Sequence, residues 1–460
     1  MNTKAKRNIF FVGAGGIGMA ALERYFKSHG YNVGGYDRTP TDLTHALESE
    51  GIAITYDDSA EAIPESFRNP EDTLVVYTPA IPDSHPGLKW FRDNGFEVVK
   101  RAYVLGLVTR HSKALCFSGT HGKTTTSSMA AHILHNSPAG CNAFLGGVLR
   151  NYNTNCLLDD KSEYSVVEAD EYDRSFHHLL PYVAVVTATD PDHLDIYGTE
   201  EAYLESFAHF TELIQPGGVL IKHTGLKLRE RPAEGVKVYT YSRDEGDFHA
   251  ENIRRGEGSI VFDFVAPDVT VKDIELGVPV EINITNAVAA LAAIWAAGQL
   301  DPKIAAEAIA SFQGPKRRFE FWLKEPGKPV VVDDYAHHPD ELKSSIESVR
   351  ALFPGHKLTA AFQPHLYTRT RDFAPQFAEA LSKADEVILL DIYPAREEPI
   401  EGVTSKIIFD RVTAPEKELI TKEELVKTVA SRPIDVLLTV GAGDICNYLP
   451  QIVENFKSEK

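Results

Sequence analysis

The stretch Ser118-Gly-Thr-His-Gly-Lys-Thr-Thr-Thr126 decides how the middle of this chain is interpreted. The apolar run before it, Ala114 to Phe117, predicts a β-strand, and the Ser-, Ala- and Met-rich run after it predicts a helix. The first glycine lies two residues closer to the lysine than in the pattern G-x-x-x-x-G-K-[ST]. The mechanism still applies, because backbone N–H groups can cradle phosphates while Lys123 reaches the β and γ phosphates and Thr124 reaches Mg²⁺. We therefore predict a short P-loop.

Acidic and histidine side chains follow two further strand-like runs. Glu168 comes directly after Tyr164 to Val167, and His193 lies just beyond the run Tyr182 to Val186. Because the carboxyl ends of parallel strands meet at one edge of a sheet, these side chains are expected beside the P-loop as magnesium ligands. For Asp170 and Asp195, a solvated loop charge remains an equal alternative.

A second glycine-rich loop opens the chain. Gly13-Ala-Gly-Gly-Ile-Gly18 fits G-x-G-x-x-G between a predicted strand and a predicted helix, and Asp37 ends the next strand, where a ribose-binding acid would lie. The pattern is typical of NAD sites, but glycines and a helix N-terminus suit any diphosphate. The loop is therefore interpreted as a dinucleotide or nucleotide-sugar site, with a purely structural turn as the alternative.

Three clusters in the last third of the chain concentrate charged residues and histidines. They are Lys316-Arg-Arg-Phe-Glu320, Asp333-Asp-Tyr-Ala-His-His-Pro339 and Gln363-Pro-His-Leu-Tyr-Thr-Arg369. Their positions after predicted strands favour function over packing. For Arg317 or Arg318 surface charge remains an alternative, and so does simple packing for His337 or His338.

Length and composition set the broad class. The chain has 460 residues, which suggests about three domains, and we place them at residues 1–109, 110–314 and 315–460. The 43% hydrophobic and 25% charged residues predict a folded globular protein. A net charge of -19 argues against nucleic acid as a partner. The scattered cysteines, the lack of an export signal and the lack of a long apolar run predict a cytoplasmic protein without membrane insertion.

Two nucleotide-type loops in series, followed by a third domain with cationic clusters, resemble the Mur ligases over essentially the whole chain. The short P-loop is the most specific motif. The motifs that resemble the L-alanine-adding member are Gly15-Gly-Ile-Gly-Met19, Glu168-Ala-Asp-Glu171, Asp192-His-Leu-Asp195, Arg317-Arg-Phe319, Asp333-Asp-Tyr-Ala-His-His-Pro339, Phe362-Gln-Pro-His365 and Gly441-Ala-Gly-Asp444.

The resemblance implies an α/β fold of three domains. A Rossmann-like N-terminal domain would bind a UDP-sugar, a central P-loop ATPase-type domain would bind ATP, and a Rossmann-like C-terminal domain would bind the amino acid and close over ATP. The implied activity is ATP-dependent ligation of L-alanine to the lactyl carboxylate of UDP-N-acetylmuramic acid through an acyl phosphate, in peptidoglycan precursor synthesis. Mg²⁺ would assist, and the protein would be a monomer or a weak homodimer.

The resemblance also implies roles for individual residues. The UDP-sugar site would comprise Gly13, Gly15, Gly16, Ile17, Gly18 and Asp37. The ATP site would comprise Gly119, Thr120, His121, Gly122, Lys123, Thr124, Thr125, Asn283, Asn286, Arg318 and Asp334. L-Alanine would contact His338, His365 and Arg369, and Mg²⁺ would contact Thr124, Glu168 and His193. The catalytic set would be Lys123, Glu168, His193, Arg318 and Asp334.

Two departures and three rival functions qualify this interpretation. Ile282 stands where the family usually has a histidine before the first asparagine of the adenine site. No lysine lies between Asp195 and Lys222, so the carbamylated lysine of several sister ligases is not expected. The rivals are a ligase that attaches a recycled murein tripeptide to the same UDP-sugar, an NAD-dependent dehydrogenase, and a P-loop regulatory ATPase acting through a protein partner.

Overall fold

The computed structural model describes residues 6–191, 194–256, 258–395 and 397–458. They form two compact units. The first contains the chain up to Asn252 together with Phe262–Ile274 and Ile284–Phe312, and the second contains Ile253–Val261, Glu275–Asn283 and the chain from Gln313 onward. Both units are built on largely parallel sheets with helices, which confirms the predicted α/β class.

The chain begins with a five-stranded parallel sheet in the order β3-β2-β1-β4-β5. Val12, the last residue of β1, is in register with the last residues of β2 and β4, so the first glycine loop leaves the middle of the sheet edge. The strands are Asn8–Val12, Asn32–Tyr36, Ala53–Thr55, Thr73–Tyr77 and Glu97–Lys100, and helices α1 to α4 are Ile17–Ser28, Asp42–Ser49, Pro86–Asp93 and Arg101–Arg110.

The second sheet has seven strands in the order β12-β11-β10-β6-β9-β7-β8, with only β8 antiparallel to its neighbour. The P-loop strand β6 lies between β9 and β10, as the sequence predicts for the two strands that precede acidic residues. Strands β6 to β12 are Lys113–Ser118, Asn142–Leu149, Thr154–Leu157, Tyr164–Glu168, Val183–Val186, Val219–His223 and Lys237–Tyr241, and helices α5 to α7 are Lys123–His135, Leu194–Tyr197 and Glu200–Glu212.

Residues 237–275 are rich in β-structure. After β12 they supply a three-stranded sheet made of β13 (His249–Gly256), β14 (Ser259–Val265) and β15 (Thr270–Glu275). The alanine-rich helix α8, Glu281–Ala296, and helix α9, Pro302–Ser311, follow. The first six residues of α8 include four polar ones, whereas the run Ala287 to Ile294 is apolar all round and fully buried, as expected of a helix segment inside a core.

The last sheet has six strands in the order β16-β17-β21-β18-β19-β20, with β16 antiparallel to β17. Strands β16 to β21 are Glu320–Leu323, Val330–Asp334, Leu358–Phe362, Glu386–Leu389, Glu416–Leu419 and Val436–Val440, and helices α10 to α14 are Pro339–Leu352, Tyr367–Leu381, Lys406–Phe409, Leu425–Ala430 and Leu449–Ser458. Strands β17, β18 and β21 end side by side, which brings the predicted histidine, arginine and aspartate clusters to one edge. Across the described ranges, no helix has the length and apolarity needed to cross a bilayer.

Candidate active site

The P-loop turns back over its own lysine. Gly119 and Gly122 have φ angles of +133° and +82°, a region that favours glycine, and Lys123 begins helix α5. The Lys123 Nζ donates to the carbonyl oxygen of Gly119 at 2.6 Å and to Oε1 of Glu171 at 2.8 Å. The ammonium is thus fixed at the mouth of the loop, where phosphates would meet the free N–H groups of the helix.

Thr124 and Glu168 meet as predicted. The Thr124 hydroxyl donates to Oε1 of Glu168 at 3.0 Å, and the backbone N–H of Gly146 donates to Oε2 at 2.9 Å. Burial raises the pKa of Glu168, whereas Lys123 and these two hydrogen bonds act in the opposite direction. A hydroxyl and a carboxylate are oxygen ligands suited to Mg²⁺, which typically takes one or two carboxylates and completes its shell with phosphates and water.

Other residues of the P-loop form hydrogen bonds with the segment that follows strand β10. The Thr120 hydroxyl donates to the carbonyl oxygen of Asp190 at 2.7 Å, and the Thr187 hydroxyl donates to that of His121 at 2.5 Å. Thr125 lies partly buried in the first turn of α5. Asn286 of α8 approaches this turn, since its Oδ1 accepts a hydrogen bond from Thr126 at 3.3 Å.

Of the other residues predicted for the nucleotide and metal sites, Asn283 lies on helix α8 and His193 is not described by the structure. Asn283 lies one turn before Asn286 on α8, and its amide donates to the carbonyl oxygen of Val278 at 3.0 Å. Ile282 is 57% exposed at the start of the same helix. His193 lies outside the described residues, so its predicted metal role remains a prediction.

The first glycine loop is braced by Asp37. Oδ2 of Asp37 accepts from the backbone N–H of Gly15 at 2.6 Å, and Oδ1 accepts from that of Thr39 at 3.2 Å. Gly13 has a φ of +95°, and Gly16 caps helix α1. The carboxylate predicted for a ribose therefore supports the loop itself. The carbonyl of Ile17 accepts from Asn155 at 2.8 Å, which joins the start of α1 to β8.

In the second unit, Arg317 and Arg318 have different surroundings. Arg317 donates to the carbonyl oxygen of Gly441 at 2.5 Å, and its Nε lies 3.6 Å from Oδ2 of the fully buried Asp333. The Arg318 guanidinium lies 5.9 Å from the centroid of the Tyr335 ring. Arg317 is therefore a structural residue, which rules out plain surface charge for it.

Asp334 ends strand β17 and accepts a hydrogen bond from the Ser345 hydroxyl. Burial raises its pKa, while Ser345 and Arg318 lower it. The residues on both sides of Arg318, Arg317 and Phe319, have φ angles of +59° and +48°. Such strained conformations are concentrated at binding and catalytic sites, which supports a functional role for this turn.

The predicted amino-acid site gathers two of its three members. Arg369 Nη1 lies 3.4 Å from Nδ1 of His365, which precedes helix α11. The His365 ring stacks on Tyr393 at 5.8 Å, and burial lowers its pKa, with Arg369 acting in the same direction. His338 instead packs at 5.0 Å against the ring of Phe373. The neighbour of His365 from the aspartate cluster is His337, at 6.1 Å between rings.

Glu171 is a functional candidate that the sequence prediction missed. It is 1% exposed, pairs with Lys123, and its Oε2 has no hydrogen-bond partner among the described residues. Burial raises its pKa, and Lys123 counters that effect. The signal was present in the motif Glu168-Ala-Asp-Glu171, but nothing in the sequence distinguishes an inward Glu171 from a solvated loop charge.

Three family models match consecutive parts of the chain. The Mur ligase family catalytic domain matches residues 8–113, the Mur ligase middle domain residues 117–294, and the Mur ligase glutamate ligase domain residues 317–443. A UDP-N-acetylmuramate–L-alanine ligase from Phocaeicola vulgatus is 59% identical over 453 residues, which cover 98% of each chain.

Solved structures agree with these matches. The UDP-N-acetylmuramate-alanine ligase MurC from Thermotoga maritima superposes with a TM-score of 0.80 at 28% identity, covering 98% of this chain and 100% of that one. A murein peptide ligase from Psychrobacter arcticus, at 21% identity and a TM-score of 0.62 over 99% of each chain, shares the fold. Because three Mur ligase domains match it in succession and its relatives match it over nearly their full length, the chain belongs to the Mur ligase family.

Proposed function

We propose that this enzyme joins L-alanine to the lactyl carboxylate of UDP-N-acetylmuramic acid, with conversion of ATP to ADP and phosphate. The observation that carries the proposal is the contact between Thr124 and Glu168 beside Lys123, at adjacent strand ends. This arrangement places oxygen ligands suited to Mg²⁺ next to a phosphate-binding loop. The full-length similarity to UDP-N-acetylmuramate–L-alanine ligases supports the choice of substrates.

The work is divided along the chain in this proposal. Residues 1–109 bind the UDP-sugar on the loop Gly13 to Gly18, residues 110–314 bind ATP, and residues 315–460 bind L-alanine and contribute to the ATP site. In this proposal the G-x-G-x-x-G loop binds the diphosphate of the UDP-sugar and not that of NAD. No hydride transfer is involved. The cytoplasmic location and the monomeric or weakly dimeric state remain predictions.

The residues of the P-loop account for the first chemical step. A carboxylate is a poor acyl donor. Attack of its oxygen on the γ-phosphorus breaks the bond to the β,γ-bridging oxygen, releases ADP and leaves the carboxylate as an acyl phosphate, whose phosphate is a good leaving group. Lys123 offsets charge on the transferred phosphoryl group, and the loop N–H groups hold the β-phosphate. Mg²⁺, held by Thr124 and Glu168, supplies charge neutralisation and alignment of the phosphates when bound. His193 is proposed as a further ligand.

Residues of the last third serve the second step. Arg318 and Asp334 contribute to ATP binding, and His338, His365 and Arg369 orient L-alanine. The neutral amine attacks the acyl carbon, the tetrahedral intermediate collapses, and phosphate leaves with the former carboxylate oxygen. An arginine is suited to the carboxylate of the amino acid because its planar fork matches two oxygens.

The test is phosphate release from ATP with UDP-N-acetylmuramic acid and Mg²⁺, comparing L-alanine, L-Ala-γ-D-Glu-meso-diaminopimelate and no acceptor. Stimulation by L-alanine with formation of the matching amide supports the proposal. Stimulation by the tripeptide alone assigns the chain to the recycling reaction, and release without any acceptor indicates a different ATPase. Lys123→Ala serves as the background control, with Lys113→Ala as its match because Lys113 forms an exposed ion pair at the start of strand β6, away from the P-loop.

A further inference from the structure

Arg101 begins helix α4 and has a guanidinium that its surroundings do not neutralise directly. Its side chain is partly buried. Within the described ranges, its guanidinium forms neither a hydrogen bond nor an ion pair with another side chain. The preceding residue, Lys100, differs, because its Nζ lies 2.8 Å from Oδ2 of Asp173. One of two adjacent cations is therefore paired and the other is available to a ligand.

The guanidinium lies directly against the first glycine loop. A Cβ atom added to Gly18 would lie 2.9 Å from Nη1 and 3.3 Å from Cζ of Arg101. A side chain at this position would therefore displace the arginine. The last glycine of the loop thus allows a cation to approach the site where the proposed function places the UDP-sugar diphosphate.

Arg101 also lies within electrostatic reach of two acids at and after the end of strand β9. Glu168 and Asp170 both act on its charge and raise its pKa, although burial outweighs them and lowers it. Glu168 is the residue that accepts from the Thr124 hydroxyl. Arg101 therefore lies against the glycine loop and within electrostatic reach of Glu168.

We propose that Arg101 binds the lactyl carboxylate of UDP-N-acetylmuramic acid and presents it for phosphorylation. The inference rests on the proposed function, which requires a substrate anchored by its diphosphate on the glycine loop to deliver a carboxylate beside Glu168. Without a cation, two carboxylates in this partly desolvated region would repel each other. A guanidinium offsets that repulsion and can hold both carboxylate oxygens in one orientation.

The experiment compares two ligands that differ only in the group proposed to bind. Dissociation constants for UDP-N-acetylmuramic acid and UDP-N-acetylglucosamine, which lacks the lactyl group, are measured by calorimetry without ATP. The proteins are wild type, Arg101→Met, Arg101→Lys and the control Lys100→Met. Binding of Mg-ATP and thermal unfolding are measured for each variant, so that a folding defect is recognised.

We expect Arg101→Met to weaken UDP-N-acetylmuramic acid binding by about tenfold or more, as for loss of a charge-assisted contact. Binding of UDP-N-acetylglucosamine and of Mg-ATP should stay within about twofold. Arg101→Lys should recover part of the lost affinity. Lys100→Met should leave the dissociation constants of both UDP-sugars unchanged.

Three results would overturn the inference. Equal losses for both sugars would mean that Arg101 contacts the diphosphate or the nucleotide. A loss confined to Mg-ATP would make it a counter-ion of the acidic cluster, and unchanged binding would leave it no role in ligand recognition. A wild-type protein that binds neither sugar would instead contradict the proposed function, together with this inference.

Discussion

Lys123 Nζ lies 2.8 Å from Oε1 of Glu171, a carboxylate that is 1% exposed, so the P-loop lysine forms a buried ion pair within its own domain. An ATP phosphate has to compete with this carboxylate or share the ammonium with it. Glu171 thereby becomes a positioning residue for Lys123. Tyr197 holds the same segment in place, because its hydroxyl donates to the carbonyl oxygen of Glu171 at 2.5 Å.

Glu171→Gln keeps the shape of the side chain and removes its charge. We expect the Kd for ATP to fall by about threefold to tenfold, because Lys123 has a weaker competitor. The kcat should fall as well, because the lysine loses the contact that fixes its direction. Nucleotide titration and steady-state kinetics check both effects, with Glu163→Gln as the control at an exposed pair. Weaker ATP binding at unchanged kcat would contradict this role.

Thr124→Ala removes the hydroxyl proposed to bind Mg²⁺ and also frees Oε1 of Glu168. The Mg²⁺ concentration for half-maximal activity should rise by about tenfold, equivalent to ~1.4 kcal/mol. Thr124→Ser, which retains the hydroxyl, should stay close to wild type. The two variants are compared in a Mg²⁺ titration at saturating ATP. The same half-maximal Mg²⁺ concentration for both would argue against a metal contact.

Gly119→Ala tests whether the loop depends on close backbone approach. The added Cβ would lie 2.2 Å from Oγ1 of Thr187 and 2.7 Å from the backbone nitrogen of Ala188, at a φ of +133°. We expect the free energy of unfolding to fall by about 3 kcal/mol, with loss of ATP binding. Gly95→Ala has a φ of +76° but meets nothing within 4 Å, so it should cost about 1 kcal/mol. Equal costs in urea unfolding would show that crowding at Gly119 is unimportant.

The adjacent arginines should separate stability from activity. Arg317→Ala leaves the buried Asp333 without its cation and should lower the free energy of unfolding by about 3 kcal/mol. Arg318→Ala should leave stability within about 0.5 kcal/mol and lower kcat/KM for ATP. Chemical denaturation and kinetics on both proteins decide between the roles. Exchange of the two phenotypes would contradict the assignment.

Asp333 predicts a defined dependence of stability on pH. Burial raises its pKa to about 6, while the Thr439 hydroxyl and Arg317 lower it. The folded state therefore holds the proton more tightly than the unfolded state, whose pKa is about 4. Its stabilising contribution is complete below pH ~4 and is lost as the pH rises to about 6, on the order of 3 kcal/mol.

Denaturation of Asp333→Asn between pH 4 and pH 7 checks this dependence. In Asp333→Asn, the free energy of unfolding should no longer decrease as the pH rises through this range. Asp340→Asn, whose side chain is 92% exposed, should retain the decrease. An unchanged profile in Asp333→Asn would place the titration elsewhere.

The sequence predicts the parallel strands well because buried strands are continuous apolar runs with turn residues at their ends. The predicted strands Ala114 to Phe117 and Tyr164 to Val167 are found to within one residue at each end, as Lys113–Ser118 and Tyr164–Glu168. The meeting of Thr124 with Glu168 is favoured by the pairing of β6 with β9, because the P-loop leaves β6 beside the end of β9.

The orientation of single side chains could not be predicted in this way. Glu171 points inward in a loop where Asp173 and Arg174 have φ angles of +51° and +55°, and a local motif does not specify such a turn. Likewise, the sequence Arg317-Arg318 gives no reason for one arginine to be tied to Asp333 and the other not. These differences depend on contacts with residues more than ten positions away.

In the proposed reaction, ATP activates the sugar carboxylate as an acyl phosphate. Its most direct test uses UDP-N-acetylmuramic acid with both lactyl carboxylate oxygens labelled with ¹⁸O, incubated with ATP, Mg²⁺ and L-alanine. We expect mass spectrometry to find one ¹⁸O atom in each released phosphate and the other ¹⁸O atom in the amide product. Phosphate without label, formed together with the amide, would contradict activation of the carboxylate by phosphorylation.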